Sequence, residues 1–311
     1  MTMKPRTNID FMRWRMIGLV LSTAINLATI VSLFVQGLNL SIEFTGGTVV
    51  ELEYASAPDL ETIRQSLAQS EFGGGVVQRF GSDQQVMLRL PPVAQVTGAE
   101  AANADVGAKL KKLLPEAEIR RVEMVGPQVG DELADDAIIA AIIALGGILL
   151  YVMLRFTFKF SVGAIVATAH DVLVILGFFS LTRLDFDLTA LAAVLTVMGY
   201  SLNDTIVVFD RIRENFRSMR KATPIEVMNL SLNQTLSRTI NTSLVTLLTV
   251  LSLFFLGGDM IHGFALALTI GILVGTYSTI YVASSAVLAL GATRQELLPV
   301  QKEGAEVDHR P

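Results

Sequence analysis

The sequence contains no cysteine, and only three of its 311 residues are histidines. Without cysteine the chain can form no disulfide, and it offers neither a thiol nucleophile nor a thiolate metal ligand. The histidines lie too far apart in sequence for a local metal-binding motif, and no hydrolase or nucleotide-binding fingerprint is present. We therefore expect no metal site, no cofactor and no enzymatic activity.

Charged residues are also scarce, at 17% of the chain, whereas 51% of the residues are hydrophobic. The net charge of -5 gives no reason to expect a nucleic-acid partner. This composition is typical of a polytopic membrane protein that carries one soluble insert. The sequence thus predicts an α-helical protein embedded in a lipid bilayer.

Six apolar segments are long enough to cross a bilayer core, which takes about 20 residues of helix. The first, 16–35, follows a basic N-terminal segment, 1–15, and no small-residue cleavage site comes after it. We therefore expect an uncleaved first helix rather than a signal peptide. The other five segments are 137–154, 161–181, 190–209, 236–256 and 264–290. A polar C-terminal tail, 291–311, follows the last of them.

The polar stretch 36–136 separates the first two spans and has a different periodicity. Its alternating and helical patterns predict a strand, a helix, two strands, a helix and a final strand, at 48–55, 58–70, 76–80, 85–90, 98–114 and 118–124. The order β-α-β-β-α-β is that of the ferredoxin-like α+β fold. Gly126, Pro127 and Gly130 then predict a short, stiff link into the membrane part.

The distribution of basic residues in the short loops predicts the orientation of the spans. Arg155 and Lys159 lie in one loop, and five further basic residues lie between 211 and 221, whereas the loops of the opposite side hold only Arg183. Lysine and arginine favour the cytoplasmic side. We therefore expect a multi-pass protein of the bacterial inner membrane with both termini in the cytoplasm and residues 36–136 in the periplasm.

The stretch Leu191–Asn215 places a carboxylate, Asp204, inside an apolar span. An ionised carboxylate at membrane depth costs at least about 2.5–3.5 kcal/mol, so it must be neutralised, paired or hydrated. Tyr200 and Asn203 share its helical face, and Gly199 begins the polar run. The stretch ends in a charged cluster at the cytoplasmic side, formed by Asp210, Arg211, Arg213 and Glu214.

Two roles are open for Asp204: a structural carboxylate held by a neighbouring helix, or a protonatable group of a coupled transporter. The second is favoured because intramembrane acids commonly mark ion paths. Arg238 is the candidate partner, since it belongs to a polar stripe of the fifth span that can face Asp204. Its alternatives are an acid on a partner chain, or an extended conformation that reaches the lipid headgroups. The stripe consists of Gln234, Arg238, Asn241, Val245, Thr249 and Ser252.

Two further features accompany these spans. His170 and Asp171 form a second polar spot in the middle of the third span, and they either fix helix packing or take part in a proton relay. The segment Thr223–Glu226 has the pattern of a capping box with proline at the first helical position. It predicts an amphipathic helix that lies at the cytoplasmic interface before the fifth span.

The blocks GYSLNDTIVVFDRIREN at 199–215 and QTLSRTINTS at 234–243 resemble the SecF proteins of the SecD/SecF family. This family is part of the resistance-nodulation-division (RND) superfamily. Supporting blocks at 41–47, 125–130 and 264–281 extend the resemblance over nearly the whole chain. Glu43 stands where the family's Asp-Phe-x-Gly-Gly block has aspartate. The glycines and proline of these blocks are Gly46, Gly47, Gly126, Pro127 and Gly130.

The resemblance implies a subunit of the Sec protein-export machinery. Such a subunit uses the proton-motive force together with SecD to assist the passage of polypeptides across the inner membrane through SecYEG, with SecA and YajC as further candidate partners. It also implies half of an RND-type transporter, with six transmembrane helices and one periplasmic insert. The choice between proton and sodium coupling stays open. The alternatives are a half-unit of a small-molecule RND-type exporter and a scaffold that transports nothing.

Overall fold

The computed structural model describes residues 7–80, 82–91, 99–219 and 221–293, which form two compact units. The sheet unit consists of Leu40–Ala141 and Asp185–Leu188. The helical unit contains Ile142–Leu184 and the described residues on either side of these segments. The two units are described separately below.

The first half of the chain runs from a membrane-length helix into the sheet unit. Its elements are a 3-10 turn (Phe11–Trp14), α1 (Arg15–Gln36), β1 (Asn39–Leu40), α2 (Ile42–Thr45), β2 (Gly47–Glu53), α3 (Leu60–Ala68), β3 (Val76–Phe80), β4 (Ser82–Leu90), α4 (Ala99–Leu113) and β5 (Glu118–Val125). The second half is almost entirely helical. Its elements are α5 (Pro127–Arg155), α6 (Phe158–Thr182), β6 (Asp185–Phe186), α7 (Leu188–Ser218), α8 (Pro224–Leu256), α9 (His262–Ser278), a π-helical turn (Thr279–Ala283) and α10 (Ser284–Ala289).

The sheet unit has the strand order β3-β4-β2-β5, with every neighbouring pair antiparallel. This is the strand order of the ferredoxin-like fold, as the sequence pattern predicts. Val50 in the central strand β2 lies opposite Leu88 on one side and Val122 on the other. One face of the sheet packs against α3 and α4 over a core that includes Leu52, Ile63, Leu67, Leu88 and Leu110. The insert thus has a hydrophobic core of its own.

Gly46 and Gly47 adopt backbone conformations that favour glycine, with φ of +65° and +123°. A side chain at Gly47 would place its Cβ 2.7 Å from the carbonyl oxygen of Leu90. A Cβ at Gly46 would lie 3.0 Å from the Cα of Pro127, and one at Gly130 would lie 2.7 Å from the Gly46 nitrogen. The glycine pair therefore permits backbone to pack on backbone at the start of β2 and of α5.

Six helices of the described part are long and apolar enough to cross a membrane, which confirms the predicted class of fold. They are not equally buried within the chain. In the most apolar 18-residue window of each helix, half of the residues are buried in α6 and in the span His262–Ala289, which comprises α9, the π-helical turn and α10. The buried share is 44% in α7, but only 11% in α5 and in α8. The centre of the helical unit is therefore formed by α6, α7 and α9, and α5 and α8 present long faces to lipid or to a partner.

Several predicted boundaries differ from the structure. The link predicted at Gly126, Pro127 and Gly130 is wrong, because Pro127 starts α5 and the helix continues to Arg155. Proline is tolerated in the first helical turn, where its missing N–H has no intrahelical acceptor. Strand β4 starts at Ser82, earlier than predicted, and Gly81 lies outside the described residues.

The interfacial helix predicted before the fifth span is not a separate element. The capping box is present, since Thr223 Oγ1 accepts a hydrogen bond from the Glu226 nitrogen and Glu226 Oε2 accepts one from the Thr223 nitrogen. The helix that it starts runs without a break from Pro224 to Leu256. No helix-breaking residue lies between the cap and the apolar span, so the polar first turns and the span form one helix.

Candidate functional site

The Asp204 carboxylate lies between α7 and α8. Its Oδ1 accepts a hydrogen bond from Thr239 Oγ1 at 2.8 Å. Its Oδ2 is buried and has no hydrogen-bond partner among the described residues. Buried polar atoms are nearly always satisfied, so an orphan oxygen requires an explanation such as a catalytic or transport role. This oxygen is free to take up a proton or to meet a cationic group that approaches from outside the chain.

Arg238 does not bind Asp204 in this structure, and the predicted ion pair between them is therefore not formed. The guanidinium lies within electrostatic range of the carboxylate, but it is exposed and has no ion pair in the described part of the chain. The next residue, Thr239, supplies the hydrogen bond instead. A short hydroxyl side chain lets two helices approach closely, whereas the long arginine stays exposed.

Three hydrogen-bonded side chains, one from each helix, join α7, α8 and α9. Tyr200 Oη donates to Ser243 Oγ at 3.4 Å, and Ser243 Oγ lies 2.9 Å from Thr276 Oγ1. Thr239 and Ser243 of α8 thus meet α7. Of the predicted stripe, Gln234 also meets α7, since its Oε1 accepts a hydrogen bond from Asn215 Nδ2 at 2.8 Å. Hydroxyl pairs of this kind hold transmembrane helices together.

Several other polar residues of this region are exposed. Asn203 and Gly199 on α7 are exposed, and so are Arg238, Asn241 and Thr242 on α8. A Cβ added at Gly199 would touch nothing within 4 Å. We call this surface the polar face. Exposed amide and guanidinium groups at membrane depth are costly when they meet lipid, so the polar face is suited to contact with another protein.

Asp171 is the centre of a fully buried polar cluster. Its Oδ1 lies 2.9 Å from His170 Nδ1, and its Oδ2 accepts hydrogen bonds from Ser201 Oγ at 2.5 Å and from Ser278 Oγ at 2.9 Å. Asp171 is 0% exposed and His170 is 3% exposed. The cluster connects α6, α7 and α9, the three central helices. Unlike Asp204, the Asp171 carboxylate uses both of its oxygens.

The packing of α9 on α7 depends on small residues beside this cluster. A Cβ at Gly275 would lie 3.0 Å from Ser201 Cβ, and one at Gly271 would lie 2.2 Å from a methyl group of Val197. These two glycines, four residues apart, let α9 approach α7 closely. One turn later Thr205 and Thr279 share a hydrogen bond of 2.9 Å, and Thr279 starts the π-helical turn. Single π-helical turns are frequent at functional sites.

The charged cluster at the end of α7 connects it to α5. Asp210 Oδ2 lies 2.5 Å from a guanidinium nitrogen of Arg155, and Asp210 Oδ1 lies 3.6 Å from one of Arg213. Arg211 and Glu214 form a further pair at 2.9 Å. These ion pairs are partly exposed, so each contributes no more than about 1 kcal/mol. The cluster fixes the two helix ends beside each other.

The predicted motif residues of the insert lie together in the sheet unit. Gly46 and Gly130 form the close contact described above, and Gly47 packs against the Leu90 carbonyl. Glu43 lies in the short helix α2, and its Oε2 accepts a hydrogen bond from the nitrogen of Leu188 at 2.7 Å. No group of three or more histidine, aspartate or glutamate residues that could hold a metal occurs among the residues that the structure describes.

Besides Ser201 on α7, four partners in these networks were not singled out from the sequence as members of the site: Thr239, Ser243, Thr276 and Ser278. The first two repeat four residues apart on α8, a signal that was present in the sequence. The other two lie in a span without any charged residue, and no pattern marks them as partners of Tyr200 and Asp171. Serine and threonine are common in transmembrane helices, so their type alone gives no indication of a site.

Six membrane-length helices, with a ferredoxin-like insert after the first, define a polytopic membrane protein with one α+β domain. The family model "Protein export membrane protein SecD/SecF, C-terminal" matches residues 105–293, and the "SecD/SecF GG Motif" model matches residues 31–58. The chain belongs to the SecD/SecF family.

Individual relatives agree with this assignment. The chain is 49% identical to the protein translocase subunit SecF of Vibrio alginolyticus over 311 residues, which is 99% of each chain. It is 45% identical to that of Pseudomonas aeruginosa over 97% of this chain and 98% of the relative. It is 42% identical to SecF of Escherichia coli O157:H7, over 96% of this chain and 93% of the relative.

Solved structures of SecDF show the same fold in a longer chain. SecDF from Thermus thermophilus, described as a translocon-associated membrane protein, has a TM-score of 0.82 and 39% sequence identity over 92% of this chain. SecDF in a super-membrane-facing form has a TM-score of 0.65 at 39% identity over 93% of this chain. The chain spans only 39% and 40% of these two structures.

Proposed function

We propose that this subunit of the Sec protein-export machinery converts the proton-motive force into movement that assists polypeptide translocation, and that it does so with a SecD-type partner. The observation that supports this most directly is the orphan oxygen of Asp204 beside the exposed Arg238. Protonation of the carboxylate removes a charge next to the guanidinium and changes the contact between α7 and α8. The chain performs no covalent chemistry and is not an enzyme.

The SecD-type partner covers the polar face. Asn203, Arg238 and Asn241 are exposed on this chain alone. In the SecDF structures this chain corresponds to about two fifths of one polypeptide, so the rest of that polypeptide supplies the kind of surface that a separate partner would contribute here. An acid of the partner is then an available counter-ion for Arg238. The SecYEG channel provides the route of the exported polypeptide, and SecA and YajC are further candidate partners.

A transport assay in inverted membrane vesicles tests the coupling. With this chain and its partner present, we expect a protonophore to remove the stimulation of export that the pair provides, while an ionophore that collapses only the sodium gradient leaves it. Vesicles that lack the pair define the baseline, and they should respond to neither reagent beyond the effect on the channel itself. Loss of stimulation with the sodium ionophore alone would show that sodium, not the proton, is the coupling ion. Stimulation that survives both reagents would indicate that the chain acts as a scaffold and uses neither gradient.

The proposed orientation places the sheet unit in the periplasm and both termini in the cytoplasm. A reporter enzyme that works only outside the cytoplasm is therefore expected to be active when fused after Glu53 or Arg89, and silent after Arg217. The same three fusions to a reporter that works only in the cytoplasm should give the opposite pattern. Activity of the first reporter after Arg217 would contradict the six-span arrangement and the placement of the charged cluster.

A further inference from the structure

We propose that Glu43 and Arg89 are positioning residues that fasten the first turn of α7 to the sheet unit. Because of these contacts, a displacement of the helix that carries Asp204 is transmitted directly to the sheet unit. This inference rests on the proposed function, because it concerns the step between the intramembrane carboxylate and the domain outside the membrane. The four contacts that support it lie within the sheet unit, which includes the segment Asp185–Leu188.

The first contact is made by Glu43, whose Oε2 accepts a hydrogen bond from the Leu188 nitrogen at 2.7 Å and lies 3.5 Å from Ser41 Oγ. Leu188 is the first residue of α7, and its N–H is one of the donors that a helix leaves unsatisfied at its start. A carboxylate at this end also complements the positive end of the helix dipole. The capping group comes from 145 residues earlier in the chain, so it connects α7 to the sheet unit instead of only closing the helix.

The second contact is an ion pair from the middle of the sheet. Arg89 Nη2 lies 2.6 Å from Asp185 Oδ1, and the two side chains are 17% and 29% exposed. Arg89 Nη1 also donates to the Leu40 carbonyl at 2.8 Å. In β4, Arg89 pairs with Val49 of β2 and with Val76 of β3, so it is held on both sides by the ladder. A partly buried ion pair held in this way is worth more than a flexible one at the surface.

Two further contacts hold the same segment. The rings of Phe44 and Phe186 stack with their centroids 6.4 Å apart, and the Ser41 nitrogen donates to the Phe186 carbonyl at 3.1 Å. Residues 41–44 and Arg89 of β4 thus hold three of the four residues of the segment Asp185–Leu188. Its last residue, Leu188, starts an unbroken helix of 31 residues.

We call the contacts of Glu43, Phe44 and Arg89 with the segment Asp185–Leu188 the clamp. The clamp is connected to Asp204 by α7 itself. Asp204 lies 16 residues after Leu188, which is about 24 Å along the axis at about 1.5 Å per residue. The hydrogen-bonded backbone between them contains no proline, and the helix is continuous in the structure. A shift of α7 on protonation of Asp204 therefore displaces its first turn as well. The clamp converts this displacement into movement of the sheet unit.

The test compares clamp variants with matched variants elsewhere in the sheet unit, in the full chain with its SecD-type partner. Glu43→Ala is expected to lower gradient-stimulated export at least about fivefold, the factor that loss of a helix cap represents. Arg89→Ala, which breaks the ion pair with Asp185, is also expected to lower it. Glu43→Gln keeps an oxygen acceptor for the Leu188 nitrogen and should retain most of the stimulation. The controls are Glu53→Ala and Arg120→Ala, which break the ion pair between β2 and β5, and they should export normally.

Because the chain has no native cysteine, a cross-link can replace the clamp. Cysteines at Phe44 and Phe186, joined by a short bifunctional thiol reagent, should restore export to Glu43→Ala, and the uncross-linked protein should stay defective. Normal export by Glu43→Ala and Arg89→Ala, or failure of the cross-link to restore it, would overturn the clamp while Asp204→Asn still blocks export. Normal export by Asp204→Asn would instead overturn the proposed function.

Discussion

Asp204→Asn is expected to reduce gradient-stimulated export to the level of vesicles that lack the chain, while the protein still inserts and binds its partner. Asparagine has nearly the same shape, and its Oδ1 can keep the hydrogen bond from Thr239 Oγ1. It cannot bind and release a proton in the working range of pH. Arg238→Met should have the same effect, because it removes the charge that responds to the state of the carboxylate. The measurement is export of a secreted reporter with and without a proton gradient.

The matched control is Asp210→Asn, which neutralises a carboxylate of the same helix six residues later. Asp210 lies in a partly exposed ion pair with Arg155, so its loss costs no more than about 1 kcal/mol. We expect this variant to export normally. Full export by Asp204→Asn would show that this carboxylate takes no part in the coupling. Equal defects in both variants would show that any change of charge in α7 is harmful.

The spans and the insert could be predicted because their signals are local. An uncharged run such as 16–35 is long enough to cross a membrane, and few other structures accommodate it. In the insert, the strand Val76–Phe80 was predicted with the bounds that the structure gives it. The strand order followed from the sequence of elements, since β-α-β-β-α-β has few compact arrangements.

The partner of Asp204 could not be predicted, because it depends on the rotation of one helix against another. Arg238 and Thr239 are adjacent, so they point about 100° apart on α8. A stripe of polar residues indicates that a helix has a polar side, but not which edge of that side meets the neighbour. Close packing of hydroxyl groups selected Thr239 and left Arg238 outside.

The segment Asp185–Leu188 was beyond prediction for a different reason. In sequence it is a short loop between two spans, and its pairing with Leu40, Glu43 and Arg89 joins positions about 100 to 150 residues apart. Nothing in a window of local sequence reports such contacts. The partners of Asp171 illustrate the same limit, because Ser278 lies 107 residues away in an uncharged span.

The two intramembrane aspartates are expected to respond differently to the same substitution. Both oxygens of Asp171 have partners, and the carboxylate is already satisfied by Ser201, Ser278 and His170. Asp204 has one oxygen without a partner among the described residues. A carboxylate with both oxygens hydrogen-bonded stabilises packing, whereas one with an unsatisfied oxygen is suited to exchange a proton. We therefore expect Asp171→Asn to fold, assemble and export, in contrast to Asp204→Asn.

Asp171→Ala, in contrast, should prevent stable assembly. It leaves two buried serine hydroxyls and the His170 ring without their common acceptor at the junction of α6, α7 and α9, a loss of about 3–5 kcal/mol. The measurement is the thermal stability of the purified complex, followed by the fraction that stays monodisperse after heating. Ser278→Ala alone should cost less, since Ser201 still donates to the carboxylate. If Asp171→Asn assembles with normal stability but fails to export, Asp171 and His170 belong to the proton relay, and the distinction between satisfied and unsatisfied carboxylates does not hold in this protein.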